Sequence, residues 1–81
     1  MQVQVQFFSN LKELAGGSTR LIEIPQGSRV SDLLDVIYAH APALRPWDKN
    51  ILIGAGVEFV ERDYALRPNE DIAIMPPEQG G

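Results

Sequence analysis

The stretch PPEQGG, residues 76–81, carries the group that we consider first for chemistry. A backbone carboxylate on Gly81 would be a poor electrophile, and it would react only after ATP converts it into an acyl-adenylate. Gly80 and Gly81 have no side chain, so they could enter a slot too narrow for a Cβ atom. Pro76 and Pro77 favour an extended course before them. The pattern suits a carboxylate presented to a partner enzyme, and it equally suits an idle end, which is common at termini.

Side chains that could carry out catalysis are few. The sequence has no cysteine, which excludes disulfides, thiolate metal ligands and cysteine nucleophiles. His40 is the only histidine, so an imidazole metal site is not expected. No pattern places a serine beside His40, and no glycine-rich loop has phosphate-binding spacing. We therefore expect no catalytic side chain, no metal site and no bound cofactor.

Composition and charge limit the possible partners. With 81 residues, 44% of them hydrophobic, the chain is expected to form one small domain. The net charge of −4 arises in residues 58–81. This stretch has two arginines, at 62 and 67, and six carboxylates, at 58, 61, 63, 70, 71 and 78. Such a surface repels nucleic acids and anionic lipids and suits a basic protein. No segment resembles a signal peptide or a membrane span, so we expect a cytoplasmic protein.

Strand patterns open the chain. Residues 2–8, QVQVQFF, alternate strictly and place Val3, Val5 and Phe7 on one face, which predicts a half-buried strand. Residues 19–24, TRLIEI, are interpreted as the returning strand of a hairpin. The stretch between these strands, which contains two adjacent glycines, is interpreted as a turn.

The central part of the chain has helical spacing. Apolar residues recur at intervals of three and four from Val30 to Tyr38, which predicts an amphipathic helix that ends near His40. Ser28 or Ser31 could cap its start. The proline-containing stretch after it is interpreted as a loop.

The remaining strands complete a sheet. Residues 51–60 predict two short strands around a turn, with Gly54 and Gly56 supplying positive φ angles. Asn69 is expected in the left-handed region of a tight turn before a strand at residues 71–75. We therefore predict an α+β fold, in which one main helix crosses a mixed sheet and the first and last strands pair in parallel.

Four segments carry a resemblance to a known family: VQFFSNLKELAG, VSDLLDVI, LRPNEDIAIMPP and the final GG. In these segments the chain resembles the small subunits of molybdopterin synthase, within the ubiquitin-like β-grasp family of sulfur carriers. The resemblance extends from Val3 to Gly81. It implies a β-grasp domain at residues 1–77 and a flexible C-terminal tail at residues 78–81, with Asn69 in place of a glycine usual in the family.

The resemblance also implies a function. A ubiquitin-activating-type adenylyltransferase would use ATP to adenylate Gly81, which would become a thiocarboxylate. Gly80 would let the tail thread into the large synthase subunit, in a heterotetramer, where the sulfur passes to cyclic pyranopterin monophosphate. Two alternatives remain open. One is a related carrier or modifier for transfer RNA thiolation, thiazole synthesis or attachment to lysines, and the other is an interaction domain with an idle tail.

A candidate partner-binding surface follows from the strand patterns. Phe8 and Met75 fall on the face opposite the core residues of their strands. If the first and last strands are neighbours, these two side chains lie close together beside the root of the tail. Phe59 is included as a third candidate, because a cluster of exposed apolar side chains is typical of an interaction site.

Overall fold

The computed structural model describes residues 1–77, so the proposed tail residues Gly80 and Gly81 lie outside the described residues. The described part contains seven main elements and a 3₁₀ helix at Pro42–Trp47. In chain order the main elements are β1 (Gln2–Phe7), α1 (Leu11–Ala15), β2 (Thr19–Glu23), α2 (Val30–His40), β3 (Leu52–Ala55), β4 (Glu58–Val60) and β5 (Asp71–Met75).

The five strands form one mixed sheet in the order β2-β1-β5-β3-β4. β1 pairs antiparallel with β2 and parallel with β5, where Val5 lies opposite Ile72. β3 is antiparallel to both β5 and β4. The predicted parallel pairing of the first and last strands is therefore confirmed, and so is the mixed sheet.

The core lies between this sheet and α2. The side chains of Val3, Val5 and Phe7 are at most 2% exposed and join one cluster with Leu33 and Ile37 of α2. Full burial of a large apolar side chain stabilises a fold by roughly 1.5–3 kcal/mol. The alternation in β1 and the helical spacing in α2 therefore place their apolar residues as predicted.

The start of α2 differs from the prediction. Neither serine caps it: Ser28 Oγ donates to the carbonyl of Pro25 at 2.6 Å, and Ser31 is exposed. Arg29 is the N-cap residue, and its backbone N–H donates to the carboxylate of Asp32 at 2.8 Å. A carboxylate at the third helical position can reach back to this N–H and also favours the positive end of the helix dipole.

Two stretches predicted as irregular contain helical turns. Residues 11–15 form α1, which ends where Gly16 adopts φ +81°, and residues 42–47 form the 3₁₀ helix. Both are too short for a hydrophobic period to show in the sequence. Each is held by a buried leucine, Leu11 in α1 and Leu44 in the 3₁₀ helix.

The two glycines predicted at the β3–β4 turn have different roles. Gly56 adopts φ +63° in the turn, as predicted, whereas Gly54 is a regular residue of β3 and is not in the left-handed region. The prediction for Gly54 was therefore wrong, because a glycine on a sheet can be needed for space rather than for backbone conformation. Asn69 has φ +62°, which confirms its predicted conformation.

Candidate functional site: an apolar hollow beside the root of the tail

The outer face is the sheet surface that α2 does not cover. On β1 it carries glutamines 2, 4 and 6, and on β5 it carries Ala73 and Met75. Pairing with the neighbouring strand places Gly54 opposite Ala73 and Leu52 opposite Met75. β4 adds Phe59 beside Gly54. Glutamines therefore line β1 on this face, whereas the last part of β5 and the residues of β3 paired with it are small or apolar.

Phe8, Phe59 and Met75 line one cavity of about 280 Å³ on the outer face. Phe8 is 39% exposed and Phe59 is 71% exposed, and the fully exposed Val57 stands beside them at the β3–β4 turn. We call this cavity the apolar hollow. Its lining includes Phe8, Val57, Phe59 and Met75, together with the small residues Gly54 and Ala73. The structure thus brings together the three side chains predicted for partner binding, and the binding itself remains a prediction.

Two local features hold Phe8 beside β5. Its backbone N–H donates to the carbonyl of Ile74 at 3.1 Å, which extends the parallel pairing one residue past β1. Ser9 then adopts φ +54° and turns the chain away toward α1. The aromatic ring is therefore left at the end of the sheet from which the tail departs.

The root of the tail lies next to the hollow. Met75 is the last residue of β5, and Pro76 and Pro77 follow it in half-buried positions. The four residues 78–81 come after them in sequence. Because a residue spans at most about 3.6 Å, a stretch of four residues can reach at most roughly 15 Å.

A second cavity, of about 430 Å³, lies on the α2 side of the molecule. There the Tyr38 hydroxyl donates to Asp48 Oδ1 at 2.5 Å, and the Arg62 guanidinium donates to the backbone carbonyl of Asp48. The Arg45 guanidinium lies over the Tyr38 ring, 5.6 Å from its centre. These contacts link α2, the 3₁₀ helix and the segment after β4.

Tyr38 is not suited to act as a base or a nucleophile. Burial of its hydroxyl, together with the hydrogen bond to Asp48, raises its pKa well above the usual range. The phenol therefore stays neutral at physiological pH. We interpret the Tyr38–Asp48–Arg62 cluster as structural.

Other polar and aromatic side chains of the described part have ordinary structural roles. The Tyr64 hydroxyl donates to Glu70, and this hydrogen bond raises the pKa of Tyr64. His40 is exposed at the end of α2, and Trp47 packs against the core. Among residues 1–77, no group of three histidine, aspartate or glutamate side chains is arranged to hold a metal ion. Within the same residues, no helix is both long enough and apolar enough to cross a membrane.

The chain matches a known protein family. The model of the ThiS family matches residues 5–81, which is nearly the whole chain. The chain belongs to the ThiS family. This match also includes the two final glycines, which lie beyond the described residues.

Individual proteins are similar to this chain over nearly their full length. The molybdopterin synthase sulfur carrier subunit of Chlamydomonas reinhardtii is 34% identical over 83 residues, covering 100% of both chains. A Pyrococcus furiosus protein, described provisionally as subunit 1 of a molybdopterin converting factor, has a TM-score of 0.87 and 26% identity, covering 96% of this chain and 99% of its own. SAMP1 of Haloferax volcanii has a TM-score of 0.86 and 26% identity, covering 100% of both chains. The ubiquitin-like β-grasp fold is thereby confirmed.

Proposed function

We propose that this ThiS-family protein is the sulfur carrier subunit of a molybdopterin synthase. The observation that carries the proposal is the 34% identity, over full length, to a relative with that name. The family match extends through Gly81, the residue that would carry the sulfur. The apolar hollow beside the root of the tail adds a surface on which a protein partner could be held.

The chemistry takes place at the carboxylate of Gly81. An adenylyltransferase joins this carboxylate to the AMP part of ATP and releases pyrophosphate. A sulfur donor then displaces AMP and leaves a thiocarboxylate on Gly81. In the synthase, the sulfur passes from this group to cyclic pyranopterin monophosphate in the large subunit.

The carrier provides no catalytic side chain; it positions the reactive carbonyl of Gly81. Its folded domain binds the partner, and the short tail delivers one reactive carbonyl into the partner's active site. Gly80 lets the tail pass where a side chain would clash. We place this reaction in the cytoplasm, where ATP is available to the activating enzyme.

A second candidate function is attachment to other proteins. It is favoured by the full-length likeness to SAMP1 of Haloferax volcanii, which is named as a small archaeal modifier protein. Activation of Gly81 would begin in the same way in both cases. The difference lies in the acceptor, which would be a lysine amine instead of a sulfur-accepting pterin.

Reconstitution distinguishes the two functions. The protein is mixed with the large synthase subunit, the activating enzyme, ATP, a sulfur donor and cyclic pyranopterin monophosphate. We expect molybdopterin from the wild type and none from a Gly81 deletion or from Gly80→Leu, although both variants should fold normally. Molybdopterin formation by the Gly81 deletion would refute the proposal. Lysine-linked conjugates without any molybdopterin would favour the modifier function.

A further inference from the structure

We propose that the free edge of β2 is a self-association surface, on which β2 of a second copy of this chain pairs antiparallel with Leu21 opposite Leu21. The sheets of the two copies then join into one continuous sheet. The proposal goes beyond the proposed function and does not depend on it. Its basis is the direction of the backbone groups of β2, the exposure of Leu21 and the order of residues along the strand.

β2 is an edge strand whose outer side has no partner strand within residues 1–77. The strand order places β2 at one end of the sheet, with β1 as its neighbour. Edge strands are often protected by proline, lysine or a bulge, because their free backbone groups can pair with another chain. β2 has the sequence TRLIE, without proline or lysine, and its register with β1 is unbroken from Thr19 to Glu23. The edge is therefore open to a further strand.

Hydrogen bonds at both ends of the β1–β2 pair show which backbone groups of β2 point outward. Ile24 accepts from the Met1 ammonium at 2.7 Å and donates to the Met1 carbonyl at 2.9 Å, and Phe7 N–H donates to the carbonyl of Ser18 at 2.8 Å. Bonded and non-bonded pairs alternate along an antiparallel ladder, so the even-numbered residues of β2 bond to β1. The odd-numbered residues direct their N–H and C=O groups away from the sheet: Thr19, Leu21 and Glu23.

Leu21 is the exposed apolar residue of this edge. Its side chain lies on the outer face, where Gln4 of β1 is its neighbour, and it is 63% exposed. Contact between the Leu21 side chains of two copies removes apolar surface of both from water. Because the backbone groups of Leu21 point outward, two Leu21 residues placed opposite each other form a hydrogen-bonded pair with Cα atoms about 5.5 Å apart.

The sequence of β2 is complementary to itself in this register. With Leu21 at the two-fold axis, Thr19 lies opposite Glu23 and Arg20 lies opposite Ile22, so no like charges face each other directly. Each outward residue then donates one hydrogen bond and accepts one. The neighbouring registers are worse. Centring the pair on Arg20 places two guanidinium groups opposite each other, and centring it on Ile22 places Leu21 opposite the carboxylate of Glu23.

Charge and area predict a weak dimer that salt strengthens. At the edge, Glu23 already pairs with the Met1 ammonium at 3.4 Å, and the Arg20 guanidinium donates to the carbonyl of Ala15 at 3.1 Å. Whole copies of the chain each carry a net charge of −4, and salt screens the repulsion between them. A pair of five-residue strands buries less surface than the roughly 1,200 Å² at which stable complexes begin. We therefore expect the dimer at high protein concentration.

The pairing leaves the tail of each copy accessible. β1 lies between β2 and β5, and neighbouring strands are about 4.8 Å apart, so the root of the tail is separated from the joint. The apolar hollow is formed around β5, β3 and β4, on the other side of the sheet from β2. Each copy in the dimer can therefore still present its tail.

The first test is sedimentation equilibrium of the full chain at concentrations up to about 1 mM, so that dissociation constants of this order are detected. Wild type should approach twice the monomer mass. Leu21→Lys and Leu21→Glu should each stay monomeric, because the two-fold axis brings like charges together, and an equal mixture of the two should dimerise again. Gln4→Lys is the matched control, with the same added charge on the same face but on an inner strand. Its dissociation constant should stay within fivefold of wild type.

Amide hydrogen exchange tests the geometry on the unchanged chain. The three outward N–H groups should exchange about twofold more slowly when half of the chains are dimeric, because exchange then occurs mainly from the monomer. The N–H groups of Arg20 and Ile22, which bond to β1, should be protected at every concentration. This measurement also decides the matter if the charged variants fold poorly.

Several results would overturn the pairing. They are a wild type that stays monomeric at the highest concentration, charged variants that associate as wild type does, a mixture of the two that stays monomeric, and outward N–H groups whose exchange is independent of concentration. Slower exchange that requires a different protein would assign the edge to that protein instead of a second copy. None of these results bears on whether the tail carries sulfur.

Discussion

Met75 connects the folded sheet to the tail, and its side chain lines the apolar hollow. We predict that Met75→Asp lowers the affinity for the large subunit at least tenfold, because a carboxylate would replace an apolar contact in the interface. The side chain is on the outer face and outside the core, so the melting temperature should fall by only a few degrees. Calorimetric titration and thermal unfolding measure the two effects.

Leu21→Asp is the control for this substitution. Leu21 is 63% exposed on the edge strand β2, at the opposite side of the sheet from the hollow. The Leu21→Asp substitution introduces the same charge into the same sheet without changing a residue of the hollow. If both variants lose affinity for the large subunit to the same extent, the hollow is not the docking site. The loss of affinity would then come from the added charge alone.

Some residues of the hollow could be predicted from the sequence, and others could not. Phe8 and Met75 could be predicted because strand alternation separates them from the core residues. Gly54 and Ala73 belong to the hollow because they are small and leave space between the larger side chains. This could not be predicted without knowing that β3 pairs with β5. Val57 was missed because it stands in a turn, where alternation gives no direction.

At the level of elements, the Tyr38–Asp48 contact predicts how stability depends on pH. The folded protein holds the Tyr38 proton more tightly than the unfolded chain, since burial raises the tyrosine pKa above its ordinary value of 10.0. The resulting stabilisation is fully present below pH 10 and is lost as the pH rises from there through the folded-state pKa. We predict that the free energy of unfolding of wild type falls more steeply above pH 10 than that of Tyr38→Phe.

Urea unfolding at a series of pH values measures this difference. Tyr64→Phe serves as the control, because it removes the other tyrosine and keeps the contribution of Tyr38 to the slope. If wild type and Tyr38→Phe lose stability in parallel above pH 10, the Tyr38–Asp48 contact does not contribute to the free energy of unfolding in the way that the structure indicates.

Elements with a clear local sequence pattern were predicted, whatever their length. β1, β5 and α2 were predicted because each shows a full hydrophobic period of two or 3.6 residues. α1 and the 3₁₀ helix were missed because one or two turns are too short to show a hydrophobic period, and prolines at 42 and 46 suggested a loop. The cap of α2 was assigned to a serine because the sequence gives residue preferences, whereas the reach of Asp32 back to Arg29 depends on geometry.

For the whole molecule, the sheet order brings the residues of the candidate site together at the end of the sheet from which the tail departs. β5 lies between β1 and β3, so the strand that leads into the tail is held on both sides. The same order gathers Phe8 and Phe59 around the point where the tail departs. The parallel pairing of the first and last strands could be predicted from the helix between them, but the neighbours of β3 and β4 could not, because short strands joined by tight turns allow several orders.

We propose that Gly81 carries the sulfur, and intact mass spectrometry can detect this sulfur on the whole protein. The protein is incubated with the activating enzyme, ATP and a sulfur donor, beside a sample without ATP and a Gly81 deletion. We expect wild type to gain the mass difference between one sulfur and one oxygen atom, and we expect this gain to require ATP and to be reversed by hydrolysis. Gain of sulfur by the Gly81 deletion, or an unchanged wild-type mass with an activating enzyme that works on its own carrier, would show that Gly81 does not carry the sulfur.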